Sequence, residues 1–317
     1  MCSNFKIGVI CWTYNQSTYI KDTLEGFVIQ KTDVPYLCCI IDDASTDGEV
    51  NILEKFVSDQ CCSVEGKNGV KSDQEYGRIL FAQHIQNKKC FFYIVLLKEN
   101  HYSIGKDKKA YLYDTLKNVD YIALCEGDDY WNDENKLQEQ YLFMRTHQDY
   151  SLCFHAHKNL YSDGKVQDKR RYPTDILDCP ISEMIEGGGG YMGFCTMFLR
   201  RKDYFSEKPK WYLSSPVGDY VLMLWLATHG KVYYSAKIMS TYRSMSSGSW
   251  NERVQKKWRY RKNYYDKSIE TLKEFDSWSG GKFRHAVANR INHLRRSRFV
   301  SLYYHPVKTF ILSLFRR

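Results

Sequence analysis

Three apolar runs in this chain each stop at a polar loop. Lys6 to Cys11 stops at Trp12-Thr13-Tyr14-Asn15. Tyr36 to Ile41 stops at the carboxylate pair Asp42-Asp43, followed by Ala44-Ser45-Thr46-Asp47-Gly48. Tyr121 to Cys125 stops at Glu126-Gly127-Asp128-Asp129-Tyr130-Trp131. Such runs predict strands buried on both faces of a parallel sheet. Helices are predicted after the loops: one capped by Ser17 and Thr18 and running to about Gln30, one from about Gly48 to Ser58 capped by Ser45, Thr46 and Asp47, and one starting near Asp133. Strand, loop and helix in repetition is the βαβ pattern, and it opens all three loops on one edge of the sheet. That edge, at the carboxyl ends of the strands, is where open α/β sheets bind ligands. Adjacent carboxylates there repel unless a cation offsets them. The plainer reading is a set of solvated turns that cap helices.

These segments, in this order and at this spacing, resemble family 2 glycosyltransferases. The likeness rests on Trp12-Thr13-Tyr14-Asn15, on Ile41-Asp42-Asp43-Ala44-Ser45-Thr46-Asp47-Gly48 and on Glu126-Gly127-Asp128-Asp129-Tyr130-Trp131, and covers roughly residues 5 to 250. Lys136-Leu137-Gln138-x-Gln140 resembles a bacterial subgroup that builds surface polysaccharides. The resemblance implies an α/β GT-A (Rossmann-like) fold with a mostly parallel central sheet flanked by helices. It implies inverting transfer from a nucleotide-diphosphate sugar to a glycan or lipid-linked glycan, with a divalent cation, manganese or magnesium.

By resemblance, Asp129 holds that metal, and Asp128 contacts the ribose or the metal. Asp43 reads the base, uracil, between the walls Trp12 and Tyr14. Arg243, in the segment Tyr242 to Trp250, pairs with phosphate oxygens. Asp219, in Gly218-Asp219-Tyr220, is the catalytic base. Read from its own surroundings, Asp219 is a first-turn carboxylate favoured by the helix dipole, on a mostly buried helix that stops at Gly230. The subgroup carries a histidine two residues after the arginine, where this chain has Met245. A thioether is a poor ligand for a hard cation, which leaves Asp129, the diphosphate and water.

The chain has 317 residues and is 43% hydrophobic, ample for a core and unlike a disordered composition. The expected division is a GT-A glycosyltransferase domain over residues 1–249 and a basic, aromatic-rich helical extension over residues 250–317. The 11 cysteines fall mostly in apolar runs, and no Cys-x-x-Cys spacing appears, which argues against structural zinc. Their odd number and the lack of a signal-peptide pattern suggest a reducing cytoplasm. No apolar stretch reaches the ~18 residues of a spanning helix. Gly187 to Gly190 reads as a flexible segment without the lysine of a P-loop, and residues 60–76 read as a loop insertion.

Charge is uneven. Net charge is +9 overall, whereas residues 250–317 carry 17 basic against 5 acidic residues, 17 − 5 = +12, leaving 9 − 12 = −3 before them. Aromatic residues interleave the basic ones. Three readings follow: phosphate contacts to nucleic acid, docking on an anionic membrane face, or a basic helix that packs its aromatic side on the catalytic domain. The resemblance favours the membrane, because many such enzymes act on lipid-linked acceptors. The expected location is the cytoplasm, peripheral on the inner face of the cell membrane, with no nucleic-acid partner. Two rivals stand beside this reading. A nucleotidyltransferase would place a glycine-rich, basic loop where Trp12-Thr13-Tyr14-Asn15 stands. A catalytically silent nucleotide-sugar or membrane-binding module would be marked by loss of Asp219 or Asp129, and both are present.

Overall fold

The three apolar runs are adjacent strands of one sheet. A computed structural model describes residues 5–63, 72–244 and 258–304. These group into two units. The first comprises Met1–Asp178, Met192–Phe205 and Gly230–Ser244; the second comprises Cys179–Tyr191, Ser206–His229 and Met245–Arg317. Residues 258–304, the described part of the expected extension, thus group with two earlier segments.

The strands of the first unit are β1 Ile7–Thr13, β2 Tyr36–Asp42, β3 Cys61–Cys62, β4 Ser72–Gln74, β5 Gly77–His84, β6 Cys90–Leu97, β7 Tyr121–Glu126, β8 Tyr130–Trp131, β9 Tyr150–Tyr161, β10 Val166–Lys169, β11 Phe198–Arg200 and β12 Lys231–Ser244. They order as β3-β5-β6-β2-β1-β7-β11-β9-β12-β8, with β4 on β5 and β10 on β9. β6, β2, β1 and β7 are parallel, as their uninterrupted apolar sequences require, and every residue of β2 and β6 is buried. The sheet as a whole is mixed. β5 is antiparallel to β6, and β11 runs antiparallel between β7 and β9. Phe194–Thr196 is a 3-10 turn, and the short β11 follows it.

Helices start later than their capping residues suggest. The first covers Ile20–Val28 and has no side-chain cap; the Ser17 N–H goes instead to Asp47 Oδ2 at 2.8 Å. The second covers Glu49–Gln60 after a left-handed Gly48, and Asp47 Oδ1 accepts the Glu49 N–H at 3.1 Å. The third covers Lys136–Thr146. Within the expected insertion at 60–76, β3 and β4 pair with β5, and residues 64–71 lie outside the described residues. Cys11, Cys38, Cys39, Cys90, Cys125 and Cys153 on the strands, and Cys195 in the 3-10 turn, are free and buried, as small core hydrophobes.

One position in the β2 loop carries strain. Ala44 has φ 62°, in the left-handed region. A residue with a Cβ loses roughly 1–2 kcal/mol there. Glycine's larger unfolded-state entropy offsets about 0.4–1 kcal/mol of any relief. Ala44→Gly is therefore expected to stabilise the protein by about 0.5–1 kcal/mol, read as a higher urea midpoint at unchanged slope. A lower midpoint would mean that the Ala44 methyl packs for more than the strain.

The second unit is helical, with Ile181–Gly187, Lys210–Leu213, Gly218–Ala227, Trp258–Trp278 and Arg284–Phe299. Its core is aromatic. Trp211 meets Phe275 edge-on at 5.0 Å, and Phe275 stacks on Phe283 at 5.8 Å. Leu272, Phe275, Ala286, Val287, Ile291 and Leu294 are buried, so this stretch of the basic tail packs within its unit. Trp258, Tyr260 and Phe299 stay exposed. Among the described residues, no helix is long and apolar enough to cross a membrane.

Candidate active site

Parallel register brings the three loops together. Thr13 of β1 lies opposite Asp42 of β2, and Trp12 lies opposite Glu126 of β7. The acidic loop after β7 is then clamped. Gly127 N–H donates to Trp12 O at 3.0 Å, and Thr23 Oγ1 lies 2.9 Å from Gly127 O and 2.6 Å from Asp129 O. Only glycine fits at 127, where a Cβ would come within 2.3 Å of Thr13 Oγ1. Gly26 likewise lets the first helix touch the Trp131 backbone, which a Cβ would meet at 2.8 Å. Trp131 is buried and donates its indole N–H to Cys195 O at 3.0 Å. Buried Lys136 sits 4.0 Å over its ring and donates to Gln140 Oε1 at 2.7 Å. Burial lowers the Lys136 pKa to about 8. Lys136 therefore packs against Trp131, the last residue of the acidic loop.

Glu126, Asp128 and Asp129 offer carboxylate oxygens that all lie within 4.8 Å of one another. Asp129 is fully buried. Its Oδ1 accepts the Arg243 N–H at 2.8 Å, whereas its Oδ2 has no hydrogen-bond partner of ordinary geometry. The Cys195 thiol lies against the same carboxylate. Burial first, then Asp128 and Glu126, push the Asp129 pKa well above the usual carboxylate range. Clustered hard oxygens with an orphaned buried oxygen fit a hard divalent cation. Arg243 joins the loop from β12. Its Nη1 donates to Asp128 O at 2.7 Å, its Nη2 pairs with Asp22, and its guanidinium lies 4.9 Å and 4.7 Å from the Tyr19 and Tyr130 ring centres. Met245, and with it the missing histidine, lies outside the described residues.

Asp43 is buried and well supplied with donors: His101 N–H at 2.7 Å, Tyr102 N–H at 3.1 Å and Lys108 Nζ at 2.7 Å. The same Lys108 Nζ lies 5.6 Å from the Trp12 ring centre. Lys108 escaped sequence reading because Lys106-Asp107-Lys108-Lys109 looks like a solvated charge run. Trp12 is half-buried, and Tyr14 is exposed. Glu126 was visible only as part of its motif. Buried Glu49 was not visible, because a first-turn acid ordinarily reads as a helix-dipole partner.

In the second unit, Asp219 occupies the first turn of Gly218–Ala227, and its Oδ1 accepts the Tyr220 N–H at 2.6 Å. Asp219 is half-buried. Desolvation raises its pKa to about 6, opposed by that N–H. The four-glycine segment is ordered as a 3-10 turn, Gly188–Gly190, and a Cβ on Gly189 would lie 3.7 Å from Asp219 Oδ1.

Residues 9–96 match the model of glycosyl transferase family 2. The family 2 resemblance is borne out. Trp12, Tyr14 and Asp43 lie inside the matched segment; Asp128, Asp129, Asp219 and Arg243 lie beyond it. Three mycobacterial proteins described as uncharacterised, Mb1547 of Mycobacterium bovis and MT1570 and Rv1520 of Mycobacterium tuberculosis, are each 23% identical over 289 residues, 90% of this chain and 72% of theirs. Among solved structures, S. aureus TarS 1-349 in complex with UDP-GlcNAc is similar at TM-score 0.61 and 16% identity, over 94% of this chain and 76% of that one. The mannosyltransferase PcManGT from Pyrobaculum calidifontis, in complex with GDP-Man and Mn2+, is similar at TM-score 0.55 and 11% identity, over 94% and 72%. At these identities the likeness is one of fold, and it bears out the expected α/β GT-A architecture.

Proposed function

We propose that this chain is an inverting glycosyltransferase that moves a sugar from a nucleotide-diphosphate donor, a UDP-sugar, to a hydroxyl of a glycan or lipid-linked glycan in polysaccharide biosynthesis. The observation that carries this reading is the orphaned, buried Asp129 Oδ2 in a three-carboxylate cluster, at the ligand-binding edge of a sheet with a family 2 sequence. Structures similar in fold hold UDP-GlcNAc, UDP, or GDP-Man with Mn2+, which supports a nucleotide-sugar donor.

Trp12 and Tyr14 wall the base, and Asp43 with Lys108 presents an acceptor and a donor to its edge. A cation held by Glu126, Asp128 and Asp129 would supply Lewis-acid stabilisation of charge on the departing diphosphate. Arg243 adds a fixed positive charge beside that loop. Asp219 takes the proton of the acceptor hydroxyl as it attacks the anomeric carbon; with a pKa of about 6 it is ionised at neutral pH. Residues 1–249 act as the transferase domain. The extension from 250, with Trp258, Tyr260 and Phe299 exposed among basic residues, fits docking on the anionic inner face of the cell membrane.

A thermal-shift panel of nucleotide sugars with manganese tests the donor class. Selective binding stabilises by about 2.7 kcal/mol at a hundredfold excess over Kd. A UDP-sugar is expected to give the largest shift. Shifts from nucleoside triphosphates alone would favour the nucleotidyltransferase, and no shift from any nucleotide sugar would contradict the reading.

A further inference from the structure

Glu49 is fully buried, yet it has no place in the chemistry above. Its carboxyl group sits where the loops of the first unit converge. Oε2 accepts the Gln16 N–H at 2.8 Å and the Ser45 hydroxyl at 3.0 Å. Ser45 Oγ in turn accepts the Asn15 N–H at 2.8 Å. Oε1 meets the Thr13 hydroxyl in a short contact. The Thr13 hydroxyl also lies 2.9 Å from Gln16 Oε1, and Gly127 of the acidic loop packs against both side chains. One carboxyl group therefore ties together the loop of Trp12 and Tyr14, the loop of Asp43 and the loop of Asp128 and Asp129. A first-turn acid serving only the helix dipole would be solvated.

The proton count is informative. Thr13 has one hydroxyl proton but contacts two oxygens, Glu49 Oε1 and Gln16 Oε1. The count closes when Glu49 carries a proton: its O–H donates to Thr13 Oγ1, and Thr13 donates to Gln16. We propose that Glu49 is the positioning residue of the donor loops and works as the neutral acid, donating to Thr13. This role rests on the donor-binding reading given above. Burial supports it by pushing the Glu49 pKa up to about 7, against the hydrogen bonds that Gln16 and Ser45 donate to Oε2. The titratable groups facing it are Asp42 on β2, which adds to the rise, Asp47 in the preceding loop and Cys11 on β1.

The test uses the full chain, with UDP and manganese as the probe, in calorimetry from about pH 6 to about pH 8.5, a range that spans the titration of a carboxyl so raised. Wild type, Glu49→Gln and Glu49→Ala are compared at each pH, so that titration of UDP itself cancels. Wild-type affinity is expected to fall relative to Glu49→Gln as pH rises through about 7. The glutamine amide donates to Thr13, and its oxygen accepts from Gln16 and Ser45, so Glu49→Gln should hold its affinity. Glu49→Ala should bind at least about tenfold more weakly, the usual cost of losing an outer support. Glu49→Gln as weak as Glu49→Ala would overturn the proposal, because the ionised carboxylate with Gln16 turned over would then be the working form. If Glu49→Ala does not fold, a wild type whose ratio to Glu49→Gln is flat with pH overturns it equally. Wild type that binds while Glu49→Ala binds as well would overturn this role alone. Wild type that binds no UDP at any pH would overturn the donor reading, and this role with it.

Discussion

Asp219→Asn is expected to lower glycosyl transfer by about 10²–10⁴-fold while leaving donor affinity close to wild type. A general base acts in the transition state, so its loss appears in kcat rather than in binding of the nucleotide sugar. Asparagine keeps the shape and can still accept the Tyr220 N–H that Asp219 Oδ1 accepts at 2.6 Å. The comparison therefore isolates the proton acceptor from the fold of the helix start. The pH dependence has a definite sign. The base works ionised, and burial raises its pKa to about 6. Wild-type transfer should level off above that value and fall about tenfold per pH unit well below it. An Asn variant that turns over like wild type would remove Asp219 from the mechanism.

Asp129→Asn is expected to weaken binding of UDP with manganese by about 10²–10⁴-fold, since removing one member of a buried charged set costs roughly 3–5 kcal/mol. Manganese alone should bind wild type weakly and bind much more tightly once UDP is present, because phosphate oxygens complete a hard ligand set that the protein fills only in part. Chelation should abolish the UDP-dependent thermal shift. Stability should move the other way. Asp129 holds its proton more tightly folded than unfolded, chiefly through burial. Its contribution to apo-protein stability is therefore full below the ordinary carboxylate range and is lost as pH rises through the raised value. Asp129→Asn should remove that loss, so the metal-free variant is at least as stable as wild type near neutral pH. Equal manganese affinity with and without UDP, or an unchanged Asn variant, would exclude this role.

What was legible in the sequence follows from the physics of each signal. β1, β2 and β7 are almost wholly buried and read as unbroken apolar runs, so their three loops could be placed on one edge of the sheet. Asp42, Asp43, Asp128 and Asp129 stood out because adjacent carboxylates at strand ends are unfavourable without a reason. β11 spans only three residues and runs antiparallel, which makes the sheet mixed; strand direction leaves no mark in so short a run. The expected caps Ser17 and Thr18 do not cap, because the helix begins only at Ile20, with Tyr19 at its cap; the Ser17 N–H is held by Asp47, thirty positions away in sequence. Glu49 and Lys108 were hidden for the same reason: their partners Thr13 and Asp43 are distant along the chain. The helical unit is assembled from three separate segments through Trp211, Phe275 and their neighbours, and no local pattern announces such aromatic packing.

Release of UDP is the most direct test of glycosyl transfer by this chain. Wild type and Asp219→Asn are incubated with manganese and the UDP-sugar that gives the largest thermal shift, with and without a panel of glycan acceptors, and free UDP is measured. Wild type is predicted to release UDP in an acceptor-dependent way, and Asp219→Asn to bind the donor and release almost none. A wild type that binds the donor yet releases no UDP with any acceptor, or release that is unchanged in Asp219→Asn, would contradict glycosyl transfer through this site.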